Sequence, residues 1–153
     1  MMGDISLPIL FFIAGIIALD QLTKFIVQGA MQPGESIPVI SGIFHITYVL
    51  NAGAAFGILE NQRIFFLATA MLLVAAAAFF WRKIASERLV TRLGTAMLLG
   101  GAVGNMIDRV RTGYVVDFFD FRVWPVFNIA DIFIVVGVGA IIYMMVFSKP
   151  KER

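Results

Sequence analysis

The stretch GNMIDRVRTGYVVDFFDFRVWPVFNIAD, residues 104–131, sets seven charged side chains among the apolar segments of a chain that is 60% hydrophobic and only 14% charged. Asp108, Arg109, Asp117, Asp120 and Asp131 are expensive to bury, because an ionised group gives up its hydration on entering an apolar medium. Their position relative to the apolar segments decides the fold.

A soluble domain usually carries about a quarter of its residues as charged side chains. This chain of 153 residues falls well short of that, and its mean hydropathy is +0.92. The composition predicts an integral membrane protein. Cysteine is absent, which excludes disulfides, thiolate nucleophiles and cysteine metal sites. The basic residues form no dense patch with interleaved aromatics, so no nucleic-acid partner is expected and their placement reads as topology.

Working outward from 104–131, four apolar segments emerge: 5–27, 64–81, 93–107 and 129–147. A span needs about 20 residues, fewer where polar ends pack against neighbours. Segment 64–81 carries no charge over its 18 residues, whereas 93–107 is short and glycine-rich. The first segment lacks a basic leader and runs into Asp20 and Lys24 rather than a small-residue cleavage site, so it is expected to be retained. The loop 82–92 holds Arg82, Lys83, Arg88 and Arg92, and the tail adds Lys149, Lys151 and Arg153, whereas the stretch from Phe25 to Gln62 contains no Lys or Arg. The positive-inside bias then predicts two helical hairpins with both termini cytoplasmic, in a single domain over 1–153.

In that topology every polar interruption of the spans converges on the extracytoplasmic face: Asp20 and Lys24 ending the first, Asn105, Asp108 and Arg109 ending the third, Asn128 and Asp131 starting the fourth. Asp20 and Lys24 share a helix face, as do Asn105 and Arg109, with Asp108 three residues from Asn105. Ionisable residues at membrane depth are candidate functional groups. Polar helix ends also pair with one another, and an Asp next to an Arg reads first as a neutralised scaffold pair. Asp117 and Asp131 lack such a neighbour, although Arg122 is within reach of either.

The long connection 28–61 is expected to form a small extracytoplasmic β-containing insertion. QPGESIPV (32–39) has turn composition. GIFHITYVLN (42–51) alternates, with Phe44, Ile46, Tyr48 and Leu50 on one side and His45 and Thr47 on the other, as a strand does. NAGAAFG (51–57) follows, with Asn51 offering an amide to the polar cluster. His45 is the only histidine and defines no site by itself. Gly100 and Gly104, and likewise Gly137 and Gly139, read as helix-packing positions. Trp81, Tyr114 and Trp124 fit interfacial belts, and Pro125 marks a turn ahead of the last segment.

The side chains cannot supply a His/Cys zinc or iron site, a calcium loop, a P-loop or a dinucleotide fingerprint. Paired carboxylates remain. Two close Asp residues cannot both ionise easily, so one keeps a proton while the other acts as a base. Such a pair serves hydrolysis or proton transport equally well. A small proton-linked transporter or channel subunit therefore stands beside an enzyme, although it requires a polar track across the bilayer that the uncharged second segment does not provide. A structural assembly factor is a third possibility.

The ordered set DQLTK (20–24), NAGAAFG (51–57), GGAVGNMIDR (100–109), VVDF (115–118) and FNIAD (127–131) resembles the lipoprotein signal peptidase family, also called signal peptidase II, across nearly the whole chain. That resemblance implies a bacterial aspartyl endopeptidase of the cytoplasmic membrane, with its site at the extracytoplasmic face. It implies removal of signal peptides from diacylglyceryl-modified prolipoproteins, cut just before the lipidated cysteine, with no cofactor, metal or covalent intermediate. Matched residue by residue, Asp117 and Asp131 correspond to the catalytic dyad. Asp20, Lys24, Asn51, Asn105, Asp108, Arg109 and Asn128 correspond to the surround that supports the dyad or binds substrate amid membrane lipids.

Overall fold

The computed structural model describes residues 6–53 and 59–147. The latter part of NAGAAFG and the basic tail carrying Lys149, Lys151 and Arg153 lie outside the described residues. Among the described residues there are four long helices, α1 (Ser6–Ala30), α2 (Arg63–Phe79), α4 (Leu89–Arg111) and α5 (Ile129–Phe147), with a short α3 (Trp81–Ser86) between α2 and α4. The strands β1 (Ser36–Ile40), β2 (Phe44–Asn51) and β3 (Val115–Asp120) form one antiparallel sheet in the order β1-β2-β3.

Helix α4 is the axis of the bundle. It packs against α1, α2 and α5, most extensively against α5. The outward faces are apolar: Phe11 and Leu22 on α1, Ile64 and Leu72 on α2, and Val135 and Met145 on α5 are all exposed. Water would penalise such a surface, whereas lipid does not. By length and composition, Leu7–Ala30 and Ile129–Phe147 are long and apolar enough to cross a membrane, and α2 is a shorter apolar helix.

The apolar segments predicted from sequence become helices with shifted ends. The second stops at Phe79, where Phe80 leaves helical geometry at φ −89°, ψ 10°. The basic connection expected as a loop over 82–92 is largely helical, because α3 fills its first half and only Glu87 and Arg88 separate α3 from α4. The third segment runs over 23 residues instead of the expected 93–107. Its polar end stays helical because Asn105 and Asp108 find partners on neighbouring elements.

The strand expected in 42–51 is β2, but QPGESIPV contributes a strand as well as a turn. Gly34, at φ +88°, turns the chain into β1. The connection 110–127, expected as a loop, contains β3. A register shift between Ile46 and Val49 interrupts the β2–β3 ladder, so strict alternation fails and Leu50 is exposed while Tyr48 is buried. Tyr48, Val116 and Phe118 pack with Val27 and Met31 at the end of α1, which fastens the sheet to the bundle.

The glycines of α4 face two ways. A Cβ on Gly100 would meet Ile16 of α1 at 2.8 Å, and one on Gly104 would meet the Asp20 carboxylate at 2.6 Å. Gly94 and Gly101 face α5, where an added carbon would meet the Gly137 carbonyl at 2.9 Å and the Ala130 carbonyl closer still. Gly137 answers Gly94 across this contact, whereas Gly139, expected to pack in the same way, has nothing within 4 Å. Gly101→Ala therefore drives a methyl group into backbone and should destabilise the protein by about 1–3 kcal/mol. Gly139→Ala should be neutral or stabilising by up to about 1 kcal/mol. Thermal unfolding in detergent, with a lower midpoint for the first variant and not for the second, checks both.

Candidate active site

Asp117 and Asp131 reach one site along different routes. On β3, Val116 and Phe118 point into the cluster beneath the sheet, so Val115 and Asp117 face the opposite way and line a cavity of about 680 Å³. Its floor is α4, including Asn105 and Arg109. One wall is α2, including Phe66, the other is α5, including Asp131, and Trp124 and Pro125 close one side.

The turn after β3 delivers Asp131. Asp120 accepts hydrogen bonds from the Arg122 backbone N–H at 2.8 Å and the Arg122 guanidinium at 2.9 Å, and a third from the Thr47 hydroxyl at 2.7 Å. Arg122 is at φ +63°, a conformation that side chains disfavour, and these bonds hold it there. The reversed chain pairs Phe127 with Phe119 through N–H···O bonds of 2.8 and 3.1 Å, which sets Asn128 beside Asp117. Arg122 thus serves the turn through Asp120, and no bond joins it to Asp117 or Asp131.

Asn128 then opens α5 with a reciprocal cap. Its side-chain oxygen accepts the Asp131 N–H at 3.0 Å, and the Asp131 Oδ2 accepts the Asn128 N–H at 3.1 Å. The Asn128 amide nitrogen donates to Asp117 Oδ1 at 2.7 Å and to Asn105 Oδ1 at 3.1 Å. Asn51 donates to Asp117 Oδ2 at 2.8 Å, its own oxygen being held by the Gly53 N–H at 2.9 Å. Asn105 donates to Asp131 Oδ1 at 2.8 Å. Each carboxyl oxygen of the pair therefore receives one N–H and keeps acceptor capacity for water or substrate.

Burial pushes the Asp117 carboxyl up to about 7, the neighbouring Asp131 charge adds to the rise, and the Asn51 and Asn128 amides restrain it. A proton on this group near neutrality is what a shared-proton pair needs.

Behind the pair is a second, closed network. The buried Lys24 ammonium meets Asp20, Asp108 and Asn105 Oδ1, each at 2.9 Å, one acceptor for each of its three hydrogens. Asp20 also accepts the Ala130 N–H of α5 at 3.0 Å, and Asp108 accepts the Val116 N–H of β3 at 3.1 Å. The sequence pattern suggested an Asp108–Arg109 scaffold pair. Successive helical residues point about 100° apart, so Asp108 pairs with Lys24 while Arg109 turns to the cavity and donates to the Gly53 carbonyl at 2.8 Å.

Gln21, legible in the sequence only as part of DQLTK and given no site role there, donates its amide N–H to Asp108 at 2.9 Å and to Asp20 at 3.2 Å. Its place one residue after Asp20 was the available signal. His45 lies away from the pair, near Ser36, 3.0 Å from its hydroxyl. Among the described residues, no group of three or more His, Asp or Glu side chains gathers where it could hold a metal ion.

Comparison with known proteins matches this geometry to one family. Residues 12–147 match the family model described as signal peptidase (SPase) II. The lipoprotein signal peptidase of Moorella thermoacetica is 45% identical over 146 residues, covering 95% of this chain and 97% of that protein. That of Halothermothrix orenii is 46% identical over 127 residues, covering 83% and 87%. A solved structure of a bacterial membrane enzyme, obtained by the in meso method at 2.3 Å resolution, aligns with a TM-score of 0.84 at 35% identity and covers 95% of this chain and 94% of that one. A family model spanning residues 12–147 and a relative 45% identical along 95% of the chain establish that this chain belongs to the signal peptidase II family.

Proposed function

We propose that the chain is an aspartyl endopeptidase that removes the signal peptide from diacylglyceryl-modified prolipoproteins, cutting just before the lipidated cysteine with Asp117 and Asp131 as its catalytic pair. The observation that carries this reading is the single Asn128 residue bonded to both carboxyls, by its amide to Asp117 and by its backbone N–H to Asp131. Two carboxyls so joined, in a cavity with largely apolar walls, suit a shared proton.

The four long helices span the bilayer of a bacterial cytoplasmic membrane as two hairpins of one domain, with both termini cytoplasmic and the sheet end extracytoplasmic. The substrate's apolar helix lies in the groove between α2 and α5, and its acyl chains meet membrane lipid. The ionised member of the pair takes a proton from water, whose oxygen attacks the carbonyl preceding the cysteine. The protonated member donates a hydrogen bond to the developing oxyanion, and as the C–N bond breaks the departing amine receives the proton that the first member took from water. The roles exchange during turnover. Asn51, Asn105 and Asn128 aim the carboxyls, Arg109 holds Gly53 and the substrate side of the cavity, and Asp20, Lys24 and Asp108 hold the elements together.

The transporter reading requires polar groups across the bundle. In α5, Tyr143 is the only polar side chain after Asp131, and in α2 Thr69 is the only one after Arg63. That distribution favours chemistry at one face.

Three outcomes are expected. Asp117→Asn and Asp131→Asn each lower cleavage of a diacylglyceryl-modified prolipoprotein by roughly 10³-fold or more while folding is retained; substantial cleavage by either folded variant sinks the assignment. The rate declines as pH rises through about 7, where the pair loses its proton; a profile level from pH 6 to pH 9 contradicts this. Asp117 also has a stability signature. Its folded-state value of about 7 exceeds the ordinary 3.8, so its contribution is fully present below 3.8 and is lost as pH rises through about 7. The melting temperature of Asp117→Asn relative to wild type should accordingly rise between pH 4 and pH 8.

A further inference from the structure

The Arg109 guanidinium lies over the Phe66 ring, with its central carbon 4.3 Å from the ring centroid. Phe66 belongs to the first turn of α2 and to the cavity wall. From Arg109 a continuous path of bonds reaches the candidate pair. Arg109 donates to the Gly53 carbonyl at 2.8 Å, the Gly53 N–H holds the Asn51 oxygen at 2.9 Å, and the Asn51 amide donates to Asp117 at 2.8 Å.

A guanidinium on an apolar cavity wall has several rotamers open to it, and an aromatic face selects among them by attraction to the cation. Helix α2 has no side-chain cap at its start, and the Arg63 guanidinium ties that end to the Val110 carbonyl of α4 at 2.8 Å. The charged groups around Arg109 are Asp108 on its own helix, Asp117 from β3 and Asp131 from α5. Helix α2 supplies Arg63 and no carboxylate, and Lys24 of α1 acts on Asp117 from behind.

We propose that Phe66 is a positioning residue whose ring holds the Arg109 cation against Gly53 and beside Asp117 and Asp131, so that a side chain in the substrate groove sets the electric field at the reacting carboxyls. The inference rests on the reading of those two residues as the catalytic pair. It makes α2 a sensor: an occupant of the groove that presses on Phe66 acts on Arg109, and through it on Asn51 and Asp117.

The test is a pH titration of the full chain in detergent micelles, followed by NMR of ¹³C-labelled aspartate carboxyls, in wild type, Phe66→Leu and Phe66→Tyr. Without the ring the cation moves away from Asp117 and the ionised form loses support, so the Asp117 midpoint in Phe66→Leu should rise by about half a pH unit. Phe66→Tyr keeps the ring and should titrate as wild type. With diacylglyceryl-modified prolipoprotein, Phe66→Leu should lower kcat roughly 3- to 30-fold, the range spanned by cation–π contacts, with KM changed less than about twofold. An unchanged midpoint in Phe66→Leu overturns the inference, as does an equal shift in Phe66→Tyr, or a lower melting temperature without any shift. Should Phe66→Leu fail to fold, Phe66→Met keeps bulk without a ring and takes its place. The titration is read without turnover, so a wild type that titrates as expected but cleaves nothing defeats the proposed function and leaves the Phe66 result standing.

Discussion

One buried ammonium organises the polar end of this bundle. Lys24 is only 2% exposed, and its three hydrogens are taken by Asp20, Asp108 and Asn105. A cation in that position, deprived of water, needs full satisfaction, and removal of one partner from such a group leaves an uncompensated charge. Each acceptor has a second task. Asp20 holds the first turn of α5 at Ala130, Asp108 holds β3 at Val116, and Asn105, with its oxygen fixed by Lys24, must turn its nitrogen to Asp131. The positions of both candidate catalytic carboxyls therefore trace back to one side chain of α1.

The glycines of α4 are a condition of this arrangement. Gly101 lets the Ala130 carbonyl of α5 come close, and Gly104 leaves room for the Asp20 carboxylate. The same turns of α4 carry Asn105 and Asp108. A close helix contact thus becomes a polar site, because backbones brought together by missing side chains put the remaining polar groups within bonding distance.

The helices were legible in the sequence because apolar length is a strong local signal, and the polar ends were legible because each falls at a segment end. Two features were not. Strand β3 is buried on both sides, so VVDFFD lacks the apolar–polar sequence alternation that marks 42–51, and its pairing with β2 depends on a partner about 70 residues away. Which Asp pairs with which cation was hidden as well. Sequence adjacency favours Asp108 with Arg109, whereas helical geometry sends them to different sides and gives Asp108 to Lys24. Residue-by-residue resemblance pointed to Asp117 and Asp131 where spacing alone left several pairings open.

The two polar networks have opposite physical characters. Around Lys24 every donor is matched and the group is sealed between helices, which suits a fixed scaffold. Around Asp117 burial works against the charge, both oxygens keep acceptor capacity, and the cavity lies open to a ligand. Asn105 and Asn128 stand between them, touching both sides through amides that carry no net charge. A lysine bonded directly to Asp117 would hold it ionised and remove the proton that acid–base chemistry requires. Neutral amides pass on position without passing on full charge, which lets a rigid ionic scaffold support a pair whose protonation stays adjustable.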